Sequence, residues 1–373
     1  MADHFDIAIV GGGIAGATAA CHLAPNHRVI LLEQENELAF HTTSRSAAVF
    51  LEADGGYVLH RLNRASRAFF DEPHPELDAP LLDPMSVLNV GTADMVDELR
   101  AQVERDSAIT PSISFVEGDE LTAFCPVINT DVITCAALQS TAASIDVMAT
   151  HQLYVRRARA AGADVRRSSR VTAIDRLDSG WKLTTASGQV DCGIVVNAAG
   201  AWGDVVAAMA GVQPIGLTPM RRTAFTTRID RDPTGWPLVY SQSTTLNCYF
   251  KPEAGQQLLC SLADETPSEP LDARPEEIDV AKAIDHINTI STLDIGSVAT
   301  TWAGLRTFAP DRDPVFGFDD AVDGFYWLVG QGGWGIVSSP AAGRITAAAI
   351  THGSFPSDLT ESGLTRDRLA PRR

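Results

Sequence analysis

The chain is poor in basic residues. Its 373 residues include 29 lysines and arginines against 47 aspartates and glutamates, which leaves a formal net charge of −18 at pH 7. No basic stripe is present that could follow a phosphate backbone, so the composition excludes a nucleic-acid binder and indicates an acidic protein. Such a protein can still hold an anionic ligand where a few arginines converge on a cleft.

Paired cysteines and long apolar runs are also missing. The six cysteines form no C-x-x-C pair and have no metal-ligand spacing with histidine, so no metal site is predicted and buried thiols are expected. No stretch reaches the roughly 18 apolar residues of a membrane span, and no signal segment precedes the first strand. We therefore expect a cytoplasmic protein without an integral membrane segment.

A glycine-rich turn is present close to the N-terminus. "HFDIAIV" (4–10) is typical of a buried parallel strand, and Gly11, Gly13 and Gly16 follow with G-x-G-x-x-G spacing before a helical run of small residues. The glycines permit a tight turn, approach of the backbone to a pyrophosphate and close helix packing, while the helix N-terminus attracts the phosphate charge. A purely structural glycine bend is the alternative.

The segments after this turn favour a nucleotide site. "HRVILLEQE" (27–35) predicts a second strand, and Glu33 lies 17 residues beyond Gly16, where a βαβ unit places the acid that binds a ribose. The next segment, "HTTSRSAA" (41–48), is small and hydroxyl-rich, as expected of a loop that wraps a resident cofactor. A nicotinamide cofactor must bind and be released in each catalytic cycle, so a loop that wraps the cofactor favours a flavin dinucleotide.

The rest of the chain alternates helical and strand patterns. Helices are predicted over 94–106, near 118, over 144–162 and over 277–290, and a β-meander over 163–200 ends in "GIVVNAAG". Residues 218–303 are rich in strands and predict a second lobe. "GFYWLVGQGGWGIVSSPAAGRITAAAI" (324–350) predicts a strand, a glycine turn and a long helix, and the tail after Ser354 is expected at the surface.

Taken together, five segments resemble the glycine oxidase and D-amino-acid oxidase superfamily of FAD-dependent oxidoreductases. They are "IVGGGIAGATAA" with Glu33, "HTTSRSAA", "VVNAAGAW", "GLRTFAPDRDPVFG" and "GQGGWGIVSSPAAG". A nearer likeness, to bacterial D-arginine dehydrogenases, is carried by "RASRAFFDEP", "PLL", "GLTPMRRTAF", "YFKPEAG" and "TWAGLRTF".

The resemblance implies an α/β fold of two lobes. A Rossmann-like FAD-binding lobe of glutathione-reductase type is expected over 1–84, 146–217 and 305–373. A substrate-binding lobe built on an antiparallel sheet is expected over 85–145 and 218–304. FAD is expected to be held non-covalently, because the histidine or cysteine tethers of covalent relatives have no clear counterpart here.

The resemblance also implies the residues of the cofactor site. The positions expected to bind FAD are Gly11, Gly13, Ile14, Ala15, Gly16, Glu33, Gln34, Thr42, Thr43, Ser44, Arg45, Ser46, Ala47, Ala48, Val171, Ala199, Gly200, Trp202, Gly304, Gly332, Gly333, Trp334, Gly335 and Ile336.

For the substrate, Arg222, Tyr249 and Arg306 match the family's ligands of the substrate carboxylate, a role that suits guanidinium groups and a phenol. Three positions that determine specificity depart from the pattern. Val87 stands where D-arginine dehydrogenases have an acid for the substrate guanidinium, Asp54 where they have a lid tyrosine, and Val49 where they have an active-site histidine. An unpaired guanidinium beside Val87 would be costly to desolvate, which argues against arginine or lysine as substrate.

The reaction implied is oxidation of a D-amino acid, and a substrate with a neutral or apolar side chain is favoured over a basic one. Hydride transfer to flavin N5 gives an imino acid, which water converts to a keto acid and ammonia. Secondary amines of the sarcosine or proline type and 2-hydroxy acids stay open as alternatives, as does a non-catalytic FAD-holding subunit of a complex. The electron acceptor is left open between oxygen and a quinone.

Overall fold

A computed structural model describes residues 3–52, 54–108 and 110–372, and within them twenty strands and nine α-helices are found. The strands are β1 Asp3–Val10, β2 Val29–Leu32, β3 Val49–Phe50, β4 Leu82–Pro84, β5 Val87–Gly91, β6 Ile113–Glu117, β7 Cys135–Gln139, β8 Ala143–Ile145, β9 Asp164–Arg166, β10 Val171–Arg176, β11 Trp181–Thr185, β12 Gly188–Asn197, β13 Thr218–Arg228, β14 Leu238–Gln242, β15 Asn247–Glu253, β16 Gln257–Ser261, β17 Thr266–Pro267, β18 Thr300–Phe308, β19 Val315–Phe318 and β20 Phe325–Val329. The helices are α1 Ile14–Leu23, α2 Gly56–Asp71, α3 Val96–Ser107, α4 Glu120–Phe124, α5 Val147–Ala160, α6 Gly203–Met209, α7 Glu277–Ile290, α8 Ser339–His352 and α9 Ser357–Glu361.

The first sheet has eight strands around a parallel centre. Its order is β10-β11-β12-β1-β2-β9, with β20 also paired to β12 and β19 to β20. Successive residues of the central strands enter different cores: Ile7 and Ile9 face the helices α1 and α8, whereas Ala8 and Val10 face the core beside α6 and the meander. Burial on both faces explains why these strands are continuous apolar runs.

The second sheet has nine strands in the order β17-β13-β16-β15-β14-β5-β7-β6, with β18 paired to β13. All its pairs are antiparallel except β14 with β5, which run parallel. Helix α7 spans 277–290, as predicted, and buries Ala283, Ile287 and Ile290 in the core of this sheet. Strand β18 continues past the boundary expected at 305, because Phe308 still pairs with Thr218.

A small third sheet joins segments that were assigned to different lobes. Its order is β3-β8-β4, so strands on either side of the boundaries expected at 84 and 145 pair with one another.

The chain after Ser354 runs mostly over the surface, as expected, but three of its leucines do not. Leu359, Leu364 and Leu369 are fully buried in the core that contains α2 and α8. Each of these leucines stands alone among charged and polar residues, so no apolar periodicity in the sequence indicates that they are buried. Among the described residues, no helix is both long enough and apolar enough to cross a bilayer.

Candidate active site

The glycine turn between β1 and α1 is tightly built. Gly11 has a φ of +111°, and a Cβ there would lie 2.4 Å from the carbonyl oxygen of Ala198 on the neighbouring strand. A Cβ on Gly16 would lie 1.9 Å from the carbonyl oxygen of Gly11. A Cβ on Gly13 would meet only the Thr43 hydroxyl oxygen, at 3.2 Å. The first and third glycines therefore serve close packing, and the second leaves space at the start of the helix.

The N-terminus of α1 is open to a ligand. Its N-cap, Gly13, has no side chain to accept from the first helical amides, and the first turn carries no acidic residue. Within the described part of the chain, the Ile14 amide is the one amide of this first turn that a side chain meets, the Thr43 hydroxyl at 3.0 Å. Because unpaired amides and the helix dipole both favour negative charge, this end of the helix fits a phosphate group.

Glu33 is held at the end of β2 by backbone amides. Its Oε2 accepts from Gly12 N at 2.6 Å and its Oε1 from Glu35 N at 2.9 Å. Burial raises the pKa of this carboxyl above its usual range, against the opposing effect of those two amides. Each oxygen keeps a further lone pair, so the carboxylate can also accept from the hydroxyls of a ribose.

A cleft of about 1150 Å³ runs along this turn. Two side-chain atoms of its lining residues, Nδ1 of His41 and Oγ1 of Thr307, are buried without a hydrogen-bond partner among the described residues. Buried polar groups are normally paired, so a ligand rich in hydroxyl and phosphate oxygens fits this cleft. The predicted cofactor residues that line it are Gly11, Gly13, Ile14, Ala15, Glu33, Gln34, Thr42, Thr43, Val171, Ala199, Gly200, Trp202, Gly332 and Gly335.

Three of the predicted cofactor residues outside this cleft have other contacts. Gly16 lies beneath the turn, and the Ser44 hydroxyl, which is exposed, donates to the carbonyl of Phe40 at 3.2 Å. The Arg45 guanidinium donates to the carbonyl of Ala303 at 2.8 Å and pairs with Asp272 at 2.6 Å. Arg45 thus ties the wrapping loop to the second sheet.

A second cleft of about 560 Å³ continues from the first, with which it shares Ile14, Thr42, Thr43, Gly332 and Gly335. The other predicted cofactor residues around it are Arg45, through its stem, Ser46, Ala47, Gly304, Gly333 and Ile336. Arg222, Tyr249 and Arg306 complete its wall. The dinucleotide cleft therefore opens directly onto the residues expected to hold a carboxylate.

Those three residues come from three strands of the second sheet. Arg306 on β18 lies opposite Met220, and Arg222 on β13 lies opposite Gly304, so the two arginines are diagonal neighbours on one face. Tyr249 lies on β15. The sheet thus carries two guanidinium groups and a phenol to one place.

The two arginines differ in their partners. Arg222 Nε donates to the carbonyl of Asp264 at 2.7 Å, and its Nη2 pairs with Glu265 at 3.2 Å. Burial and the neighbouring charge of Arg306 lower the pKa of Arg222 to about 10. The Arg306 guanidinium, in contrast, makes no hydrogen bond to any residue within 3–52, 54–108 and 110–372, and it lies against Gly333. Two close positive charges, one of them without a partner, fit an anionic ligand between them.

A third cavity of about 1650 Å³ lies beyond the arginines and is continuous with the second cleft. Val49 and Asp54 line it as expected, and so do Ala48 and Trp334, which were expected at the cofactor. Trp334 Nε1 donates to Asp54 Oδ2 at 2.8 Å.

Val87, which was expected to contact the substrate, is not among the residues that line this cavity. Its side chain is 2% exposed and packs with Ala142 and Leu238 in a small apolar cluster. Leu238 and Tyr240 on the adjacent strand form the wall instead. β5 is the neighbour of β14 in the same sheet, with Val87 paired to Leu238, and this strand order is not visible in a motif match.

Sequence reasoning also missed several residues of these clefts. Tyr240 lies directly opposite Tyr249 in the β14–β15 pair, and burial raises its pKa above the ordinary value. Glu265 accepts from both Arg222 and Arg312 at the rim of the cavity. The paired strands "LVYSQ" and "NCYFKP" were the available signal for Tyr240, but the sequence does not supply their register. The missed residues of the dinucleotide cleft include Gly12, His41, Arg170, Thr307 and Gln331.

Similar proteins were found in three comparisons. The family model described as DAO, FAD dependent oxidoreductase, matches residues 6–349. Glycine oxidase of Geobacillus kaustophilus is 24% identical over 381 residues, which cover 98% of each chain. Mitochondrial dimethylglycine dehydrogenase of Mus musculus is 25% identical over 393 residues, which cover 96% of this chain and 44% of that protein. The chain thus spans under half the length of the dimethylglycine dehydrogenases it matches.

Among solved structures, L-proline dehydrogenase from P. horikoshii superposes with a TM-score of 0.87 at 21% identity, and the match covers 100% of this chain and 98% of that one. The fold class and the FAD expected from the sequence agree with these findings. Since the family model covers nearly the whole chain, the protein belongs to the DAO family of FAD dependent oxidoreductases.

Proposed function

We propose that this protein oxidises the amine of an amino acid, with FAD as the resident oxidant. One observation carries the proposal: Arg222, Arg306 and Tyr249 meet on one sheet face, where a dinucleotide cleft opens into a cavity. A paired guanidinium and phenol site suits an α-carboxylate, and its place beside the cofactor would bring the adjacent carbon within reach of the flavin.

The residues that would hold FAD, without a covalent bond, follow from the clefts. The amides at the start of α1 would meet the pyrophosphate, and Glu33 would accept from the ribose hydroxyls. The segment 332–336 would lie at the far end of the cofactor. When bound, FAD supplies a hydride acceptor for the substrate Cα–H. The chain's own part is to fix the carboxylate, orient the Cα–H and enclose the site.

For the substrate we propose a D-amino acid with a neutral side chain. The support for the D form is the likeness to D-arginine dehydrogenases at Arg222, Tyr249 and Arg306. The support for a neutral side chain is the apolar part of the cavity wall, which includes Val49, Leu238 and Val337. Glycine oxidases among the relatives agree with a small primary amine.

A secondary or tertiary amine is the second candidate. The cavity extends beyond the two arginines and leaves room for substituents on the nitrogen as well as for a side chain. Relatives and neighbours named dimethylglycine dehydrogenase, L-proline dehydrogenase and iminodiacetate oxidase act on such amines by name.

The test is a substrate screen on the purified, FAD-loaded protein without oxygen. D- and L-amino acids, sarcosine, proline and 2-hydroxy acids are added singly, and bleaching of the oxidised flavin is followed. Reduction by a D-amino acid agrees with the proposal, whereas reduction by secondary amines or hydroxy acids alone would replace the substrate class. A protein that stays oxidised with every compound would be an FAD-holding subunit. Repeating active reactions in air or with a quinone identifies the electron acceptor.

A further inference from the structure

The substrate cavity contains an acidic side chain besides the carboxylate clamp, the name we give to Arg222, Tyr249 and Arg306. Asp54 follows β3 and precedes α2, and its side chain is half-buried at the cavity wall. Its Oδ2 accepts from Trp334 Nε1 at 2.8 Å. Trp334 belongs to the same glycine turn as Gly333 and Gly335, which line the cleft next to the dinucleotide site. The carboxylate is therefore fixed to the element that would lie against the flavin.

The backbone at Asp54 is held in place by hydrogen bonds and by close packing. Asn63, fully buried on α2, donates to the carbonyls of Leu51 at 3.2 Å and Asp54 at 3.3 Å. Gly55 has a φ of +91°, and a Cβ there would lie 2.8 Å from Cε2 of Trp334. The missing side chain lets the chain close onto the indole, so the carboxylate has a defined position in the cavity.

The charges around Asp54 complement an amino acid zwitterion. Arg306 on β18 and His60 on α2 face the carboxylate and favour its charged form, and Tyr240 on β14 faces it as well. Asp54 and Arg306 do not form an ion pair, so the guanidinium stays available for a carboxylate and Asp54 for a cation. An α-amino acid carries both charges on one carbon. The two protein charges are thus arranged to take one each.

The other carboxylate of the cavity wall is already neutralised. Glu265 pairs with Arg222 at 3.2 Å and with Arg312 at 3.0 Å. Tyr240 cannot serve as a base, because burial raises its pKa and keeps the phenol protonated. Within the described part of the cavity wall, Asp54 is the acidic side chain left to meet a positive group.

We propose that Asp54 binds the ammonium group of the substrate and accepts its proton before the Cα–H bond breaks. In this step an N–H bond of the ammonium breaks and an O–H bond forms on Asp54, while the N–H electron pair stays on nitrogen. The neutral amine can then supply electron density as the hydride leaves Cα. Burial raises the pKa of Asp54 toward that of the ammonium, which eases the transfer.

This inference rests on the proposed function, and Asp54→Asn tests it. The asparagine keeps an oxygen for the Trp334 indole but cannot accept a proton. We expect kcat/KM at pH 7 to fall by roughly 10²- to 10⁴-fold. It should then rise about tenfold per pH unit toward the pKa of the substrate amine, because only the free amine reacts. In the unaltered protein, kcat/KM should fall at low pH as Asp54 becomes protonated.

Binding of acetate supplies a readout that is independent of activity. Acetate has a carboxylate and no amine, so its perturbation of the FAD absorbance should give the same Kd in Asp54→Asn within about twofold, with unchanged FAD content. The matched control is Asp319→Asn. Asp319 accepts from the Trp327 indole at 3.1 Å in the first lobe, and its variant should keep the original pH profile.

A second variant tests the same idea without removing the carboxylate. Trp334→Phe deletes the N–H that stabilises the ionised form, so the acidic limb of the pH profile should move to higher pH. Unchanged pH profiles in both variants would refute the role of Asp54, and so would loss of acetate binding in parallel with activity. If no amine reduces the unaltered protein, the proposed function itself is wrong, and the inference falls with it.

Discussion

Replacing Arg306 by methionine should separate substrate binding from cofactor binding. The Arg306 guanidinium donates no hydrogen bond to the described residues, so replacing this side chain leaves no buried acceptor unpaired. It also relieves the repulsion that helps to hold the pKa of Arg222 at about 10. We therefore expect the variant to fold, to bind FAD normally and to melt at a temperature no lower than the original.

The effect on turnover follows from the bonds lost. A hydrogen bond to a charged group contributes about 1.5–3 kcal/mol, so two parallel bonds to one carboxylate contribute about 3–6 kcal/mol. That corresponds to a loss of about 10²- to 10⁴-fold in kcat/KM. Arg222 remains and binds better once its neighbour is gone, so we expect the lower half, about 10²- to 10³-fold, mostly as a higher KM.

The assay is anaerobic flavin reduction at several concentrations of the best amino acid. Arg228→Met is the control, because Arg228 is an exposed arginine at the end of β13, the same strand as Arg222, and lies outside the three clefts. Wild-type kinetics in Arg306→Met would refute the carboxylate clamp. A colourless Arg306→Met protein would show instead that the residue supports FAD binding.

Three further expectations concern the turn, the cavity wall and pH. Gly16→Ala places a Cβ 1.9 Å from the Gly11 carbonyl oxygen, so the purified protein should lose FAD; a normal ratio of FAD to protein would contradict the packing account. Val87→Glu buries a carboxyl group beside Ala142 and Leu238, and even a neutral polar group without a hydrogen bond costs about 2–7 kcal/mol there. The variant should have a lower Tm and no new activity on D-arginine, and a stable variant that oxidises D-arginine would place the residue in the cavity after all. Burial raises the folded-state pKa of Asp54 above its unfolded value, so its ionised form destabilises the fold as pH rises. Asp54→Asn should therefore have a higher Tm than the original protein at pH 8, and this difference in Tm should disappear near pH 4. A difference in Tm that grows as the pH falls would contradict a raised pKa of Asp54.

Local patterns in the sequence predicted much of the fold. The G-x-G-x-x-G turn with Glu33, the helix over 277–290 and the strand, turn and helix ending in α8 each depend on neighbours within about 30 residues. These elements are recognisable because hydrophobic period and glycine spacing act over such distances.

The contacts that the sequence did not predict join distant segments. Trp334 meets Asp54 across 280 positions, and Arg45 reaches Ala303 across 258. The burial of Val87 and the pairing of Tyr240 with Tyr249 depend on strand order and register in the second sheet. Motif matching assigned residue types to roles, but packing decided which side chains reach the cavity.

Stoichiometric reduction tests the central claim most directly. FAD-loaded protein is titrated without oxygen with the amino acid that reduces it fastest, and the flavin spectrum, keto acid and ammonia are measured together. We expect one equivalent of amino acid to bleach one equivalent of FAD and to release one keto acid and one ammonia. A flavin that stays oxidised, or that is bleached without release of ammonia, would contradict the assignment as an FAD-dependent amino-acid oxidoreductase.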